Sequence, residues 1–265
     1  MYDKTQLDKL SGNDSTSRVK YTPSLIKFNG SRGTFSLVEK TTSGYNAPKA
    51  LTAPIKVTIL RPRRVCGWYE KNSTGEGMSY FTNEHNSYAD ILTLFCVEKD
   101  SKAKVIDTGT SSALYEKYPL LRTSVVLYVL YNNVVHKLKL KGKSLKAFKA
   151  YREELEKDKK SFYEFETELS VNKEESQSFD YYSVVFSATT PVDLEKVGPF
   201  IEEVGTVLEK IDNQHSRDSI AAQDAQDPQS IQPGYTEPVI DVDDGDEPKT
   251  LDSAEDNIDV KNIPF

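Results

Sequence analysis

The 265-residue sequence predicts a mainly β (α+β) fold followed by a long acidic tail. Three observations predict it. Between residues 24 and 188 short apolar runs alternate in and out at a period of two and are separated by Gly, Pro and Asn turn signals. Only two stretches carry apolar residues at helical spacing. Beyond residue 212 the sequence loses all periodicity and turns acidic, a composition too poor in apolar residues to build a core.

The elements follow in order. Residues 1–22 are polar and read as a mobile arm. Residues 24–28 and 34–39 read as strands around the turn Asn29-Gly30-Ser31-Arg32-Gly33. After a loop comes 55–60, with Ile55, Val57 and Ile59 on one face. Arg61-Pro62-Arg63-Arg64 breaks the pattern, which resumes over 65–71 with Trp68 and Tyr69. Residues 72–77 read as a flexible loop; 78–82, 91–98 and 104–107 are further strands, and 111–117 a short helix or turn. Residues 122–131 and 134–141 form a hairpin across Asn132-Asn133, two residues that tolerate positive φ. In its second strand Lys137, Lys139 and Lys141 share a face, opposite His136, Leu138 and Leu140.

Ser144 is positioned to cap a helix over 144–160 with Leu145, Phe148, Tyr151 or Arg152, and Leu155 on one stripe. Strands at 162–169 and 179–188 complete the β region. Thr190-Pro191 opens a last helix to Ile211, whose Leu194, Val197, Ile201, Val204 and Leu208 suit packing on the chain's own sheet better than a dimer seam, and Gly198-Pro199 should interrupt it. Residues 213–265 should be disordered. The expected architecture is an arm (1–22), one domain (23–212) and a tail (213–265). The domain is expected to be an OB-fold-like open β-barrel with an inserted helix and a C-terminal helix, with a β-sandwich as the alternative.

Charge divides the chain. Residues 212–265 hold fourteen acids against Arg217, Lys249 and Lys261, about −11; residues 1–211 hold 31 basic against 27 acidic residues, about +4. A mildly basic body with an acidic tail points toward nucleic acid. Cys66 and Cys96 form no metal or disulfide pattern and read as buried free thiols. With no signal peptide and no apolar run of membrane length, a cytoplasmic protein without a membrane partner is expected. His85, His136 and His215 are scattered, and no nucleophile elbow, phosphate loop or metal motif occurs, so neither an enzyme nor a cofactor is implied.

What remains is a mixture of aromatics and cations: fifteen Tyr, eleven Phe and one Trp among 34 Lys and Arg. Single strands are held by rings that stack bases and cations that follow phosphates. The densest mixture is Arg61, Arg63, Arg64, Trp68, Tyr69 and Lys71, with Tyr80 and Phe81 close behind and Lys137, Lys139 and Lys141 as a second cationic row. Core packing is the competing account of the rings, and a solvated edge strand that of the lysines.

The ending Asp259-Val260-Lys261-Asn262-Ile263-Pro264-Phe265, after an acidic linker, resembles the tails of bacterial single-stranded DNA-binding proteins. The Tyr- and Lys-rich strands, with Lys141-Gly142-Lys143-Ser144, look similar to phage-encoded single-stranded DNA-binding proteins. The resemblance implies a role in replication, recombination or repair. It implies that Ile263, Pro264 and Phe265 dock on partner enzymes, with Asp256 and Asp259 as electrostatic helpers. Lys261 and Asn262 stand where that family has acids, which weakens contact with a basic partner surface.

Overall fold

The computed structural model describes residues 23–42, 44–71, 77–87, 89–98, 101, 103–175 and 180–224. The expected N-terminal arm, most of the 72–77 loop, and the tail beyond 224 with its tip residues Asp256, Asp259, Ile263, Pro264 and Phe265 lie outside them.

The fold is mainly β, with three α-helices among the described residues. Its strands are β1 (Ser24–Asn29), β2 (Thr34–Val38), β3 (Lys40–Thr41), β4 (Gly44–Tyr45), β5 (Lys49–Leu51), β6 (Ile55–Lys71), β7 (Gly77–Thr82), β8 (Ile91–Glu98), β9 (Lys104–Thr110), β10 (Arg122–Tyr131), β11 (Val134–Leu140), β12 (Phe165–Glu174) and β13 (Tyr181–Pro191). The helices are α1 (Ser111–Lys117), α2 (Gly142–Lys157) and α3 (Leu194–Asp224). One sheet runs β5-β2-β1-β11-β10-β6-β7-β8-β9, and β12 branches from β6 to pair β13. The β1–β11 pairing is parallel; the other ladders are antiparallel.

β6 organises this topology. It is one strand of 17 residues, not two strands broken at Arg61-Pro62-Arg63-Arg64. Along one side it pairs with β10; along the other, β12 takes Ile55–Val57 and β7 takes Gly67–Lys71. Pro62 falls between these partners, where only β10 lies alongside, so its missing N–H interrupts no second ladder. Leu60 is the extra residue of a bulge, because Ile59 faces Val129 and Arg61 faces Tyr128. Before the bulge Ile55, Val57 and Ile59 point into the main core; after it Arg61, Arg63 and Val65 point to the opposite face.

The main core lies inside a curl of the sheet. Ile26, Phe35, Leu127, Leu138 and Leu169 close around α2, whose Leu145, Phe148, Tyr151 and Leu155 form the expected stripe. The curl brings the Tyr182 N–H in β13 to the Gly30 carbonyl in the β1–β2 turn, at 2.7 Å, and seats the Tyr182 ring against Gly33. Gly33 has φ +65°, and a Cβ there would come within 2.6 Å of that ring, so the close approach requires glycine. Among the described residues no ladder joins these ends, and the sheet stays open. Ser144 does not cap α2. The helix starts at Gly142, and the Ser144 hydroxyl accepts the Val184 N–H at 3.0 Å, tying helix to hairpin.

On the outer face α3 packs Val197, Val204 and Leu208 against Leu60, Val65, Val126, Tyr128 and Val135, as an amphipathic helix on its own sheet. Two expectations about it are corrected. Thr190 belongs to β13, and Asp193 serves the helix start by accepting the Glu195 N–H at 3.1 Å. The helix also contains Pro199 without ending and continues past Ile211 to Asp224. No described helix is long and apolar enough to cross a membrane. Both cysteines are free and buried, as expected.

Asp212, on α3, bonds both terminal nitrogens of the Arg63 guanidinium, at 2.8 and 2.5 Å. The Arg63 side chain is fully buried and that of Asp212 one-third exposed. Asp212→Ala should leave the guanidinium with too few acceptors and cost about 2–3 kcal/mol, discounted from a fully buried pair for the exposure of Asp212. Chemical denaturation of the variant checks this, with Asp212→Glu retaining most of the stability.

Candidate nucleic-acid interface

The cations singled out in the sequence do not form one patch. Arg63 and Lys137 are corrected from phosphate contacts to internal ion-pair partners. Arg63 is 1 % exposed, held by Asp212 and by the Glu84 carbonyl at 2.7 Å. Lys137 is 5 % exposed because β11 is an interior strand between β1 and β10, not an edge strand. Its ammonium bonds Glu84 at 2.7 Å and lies 5.1 Å from the centre of the Tyr128 ring. The Tyr128 hydroxyl donates to the other Glu84 oxygen at 2.7 Å. Buried cations must be paired and hydrogen-bonded to be tolerated. Glu84 does this for both, with its carboxylate for Lys137 and its carbonyl for Arg63. It can do so because the segment after β7 folds back along β6, where His85 and Arg64 exchange backbone hydrogen bonds at 2.8 and 2.9 Å.

Arg61 is half-buried beside Gly205 of α3, and Arg64 is half-buried on the other face of β6. Lys71, Lys139 and Lys141 are exposed. The lysine row of β11 is thus split, with Lys137 inside and the other two outside.

The aromatics separate by face. Trp68 and Tyr80, directly opposite across β6 and β7, stack with centroids 4.0 Å apart and planes 1° apart; Tyr118 lies 5.7 Å from Trp68. This stack covers a third core cluster of Cys66, Leu92, Leu94, Leu114 and Leu121. The Trp68 indole N–H donates to Glu70 at 3.3 Å. Burial, with the Glu70 carboxylate second, pushes the Tyr80 phenol well above its ordinary range, so it stays protonated. These rings pack onto that buried cluster, and core packing accounts for them.

Tyr69 and Phe81 point to the opposite face. Phe81 stacks with Phe95 at 5.6 Å and 25°, and both are half-buried. The strand registers set one lateral row: Arg122 opposite Gly67, Gly67 opposite Phe81, Phe81 opposite Phe95, and Phe95 opposite Val105. Opposed residues share a face. The row therefore presents an exposed cation, a gap at Gly67, two stacked rings and an exposed aliphatic. A Cβ on Gly67 would run into the Tyr80 carbonyl, so the gap follows from how closely β6 and β7 approach. Arg122 is anchored by donating to the Pro119 and Leu121 carbonyls at 2.7 and 3.1 Å. Tyr69 and Lys71 continue the same face along β6.

Phe95 and Arg122 were missed in the sequence because each lies far along the chain from the Arg61–Lys71 cluster. Only the ladder through β7, β8 and β10 brings them to it. The row offers π faces beside positive charge, which suits stacking a base and holding a phosphate. No group of three or more His, Cys, Asp or Glu able to hold a metal occurs among the described residues. Comparison of the chain with protein-family models, curated proteins and solved structures finds no match.

His85 and His136 are buried, and burial is the main cause lowering both below the ordinary imidazole range. Their protonation is favoured in the unfolded chain, so stability is full above about pH 6.5 and falls as pH drops below it. The melting temperature should decline between pH 7.5 and pH 5.5. A thermal-melt series over that range, with His85→Gln/His136→Gln showing a smaller decline, checks it.

Proposed function

We propose that this chain is a sequence-independent single-stranded DNA-binding protein of replication or recombination that recruits partner enzymes through its C-terminal tip. The observation that carries the reading is the Arg122–Phe81–Phe95 row, flanked by Tyr69 and Lys71, on a chain whose charge is divided between body and tail. In this reading bases stack on Phe81 and Phe95, phosphates follow Arg122, Lys71, Lys139 and Lys141, and Arg63 and Lys137 hold the scaffold. The curled sheet around α2 then plays the part of an OB-fold-like open barrel. With α3 ending at Asp224, residues 225–265 carry eleven acids against two lysines. α3, which leads into the tail, lies against β6 and β8, and in this reading the tail's acids compete with DNA for the cations of the platform. Ile263, Pro264 and Phe265, with Asp256 and Asp259, form the partner-docking tip. The protein acts in the cytoplasm, that of the host cell if it is phage-encoded.

One observation favours a second reading. The burial of Arg63 and Lys137 removes two cations from the surface, which suits an interaction protein that carries the tail as bait and binds no DNA.

Fluorescence anisotropy with labelled oligo-dT and with duplex DNA over a salt series decides between them. Binding should favour the single strand and weaken with salt. Phe81→Ala/Phe95→Ala should lose roughly ten-fold or more in affinity, at about 1–3 kcal/mol per stacked base. Removal of residues 225–265 should raise affinity, most at low salt. Absence of single-strand binding even in dilute buffer would establish the bait reading.

A further inference from the structure

β9 pairs only with β8 among the described residues, so its outer edge carries backbone groups with no ladder partner. Val105 is 62 % exposed and Ile106 44 %, and Ile91 at the start of β8 is 43 % exposed. An open edge lined with apolar side chains is a template for another strand. Its two faces differ. Val105 shares a face with Phe95, while Lys104 and Asp107 share the other with Cys96 and Leu94. Lys117 joins that second face by pairing with Asp107 at 2.7 Å, with its own side chain 64 % exposed.

The chain itself contains a segment that matches. Within the acidic tail, Val239-Ile240-Asp241-Val242-Asp243 is rich in β-branched residues. Extended, it puts Ile240 and Val242 on one side and Asp241 and Asp243 on the other. Fourteen residues, 225–238, separate it from Asp224, the last described residue of α3, and α3 packs in part against β8, the neighbour of β9. That length reaches roughly 45 Å when extended, many times the spacing of adjacent strands.

We propose that the open edge of β9 is covered by this chain's own segment 239–243, added as an extra strand with Ile240 and Val242 beside Val105 and with Asp241 and Asp243 beside Lys104 and Lys117. Apolar contact sets which face is which, and the two acid–lysine neighbours reinforce the same choice. The contact retains part of the tail on the body and leaves residues 244–265, with the terminal tip, to extend from it. It goes beyond the DNA-binding reading and does not depend on it.

Hydrogen–deuterium exchange of the full-length protein tests the proposal without DNA. The amides of β9 that do not bond to β8 should exchange at least about ten-fold faster in full-length Ile240→Asn/Val242→Asn than in the unaltered chain. Exchange in β10 should be unchanged, showing that the fold is intact, and the difference should not vary with protein concentration. Equal exchange of β9 in both proteins overturns the proposal. So does protection that grows with concentration, which would place a second copy on the edge. Loss of protection only in Ile258→Asn/Val260→Asn, the other Ile-Asp-Val in the tail, overturns it as well.

Discussion

The rest of the structure depends on a guanidinium placed where water cannot reach it. Arg63 sits in the middle of β6, on the face that receives α3, and is fully buried. A charge in that position must be neutralised by the elements that bury it. α3 supplies Asp212 and the segment after β7 supplies the Glu84 carbonyl, so one side chain fixes both the helix and the fold-back. Glu84 then has its carboxylate committed to Lys137 and Tyr128, which extends the same network to β10 and β11. Two cations and two carboxylates, drawn from β6, β11, α3 and a connecting segment, form one balanced group. The intact group adds little net stability, but removing any one member leaves a buried charge or acceptor without its partner.

That network also determines what surface is left over. Because α3 covers Arg61, Arg63 and Val65, the face of β6 emerges from beneath it only toward Gly67, Tyr69 and Lys71. The ladder there brings Phe81, Phe95 and Arg122 alongside. The bulge at Leu60 is what places the arginines on the covered side; without it they would point into the main core. A local irregularity in one strand thus decides which cations are structural and which rings remain accessible.

Much of the fold was legible because period and turn chemistry act locally. The Asn132-Asn133 turn has φ of 51° and 60°, as two adjacent asparagines between β runs suggest, and the stripe of α2 lies where helical spacing puts it. The continuity of β6 was not legible. Pro62 breaks a strand in isolation, and only the absence of a neighbour on one side excuses it. Lys137 misleads for a related reason: the alternation of β11 is plain in the sequence, but its lysine face is covered at Lys137 and open at Lys139, and only the elements packed over it decide which. Of the candidate site, Tyr69, Phe81 and Lys71 could be named from their neighbours in sequence. Phe95 and Arg122 could not, since cross-strand register is a property of the assembled sheet.

The Trp68–Tyr80 stack has a spectroscopic consequence. The chain has a single tryptophan, and it lies at the end of β6 that pairs with β7, over the cluster of Cys66, Leu92 and Leu94 and outside the core that packs on α2. Its emission therefore reports on one end of the molecule, whereas far-ultraviolet dichroism averages over all of it. If the two signals change together on heating, β6 couples its halves into a single cooperative unit; if they part, the extension melts as a unit of its own.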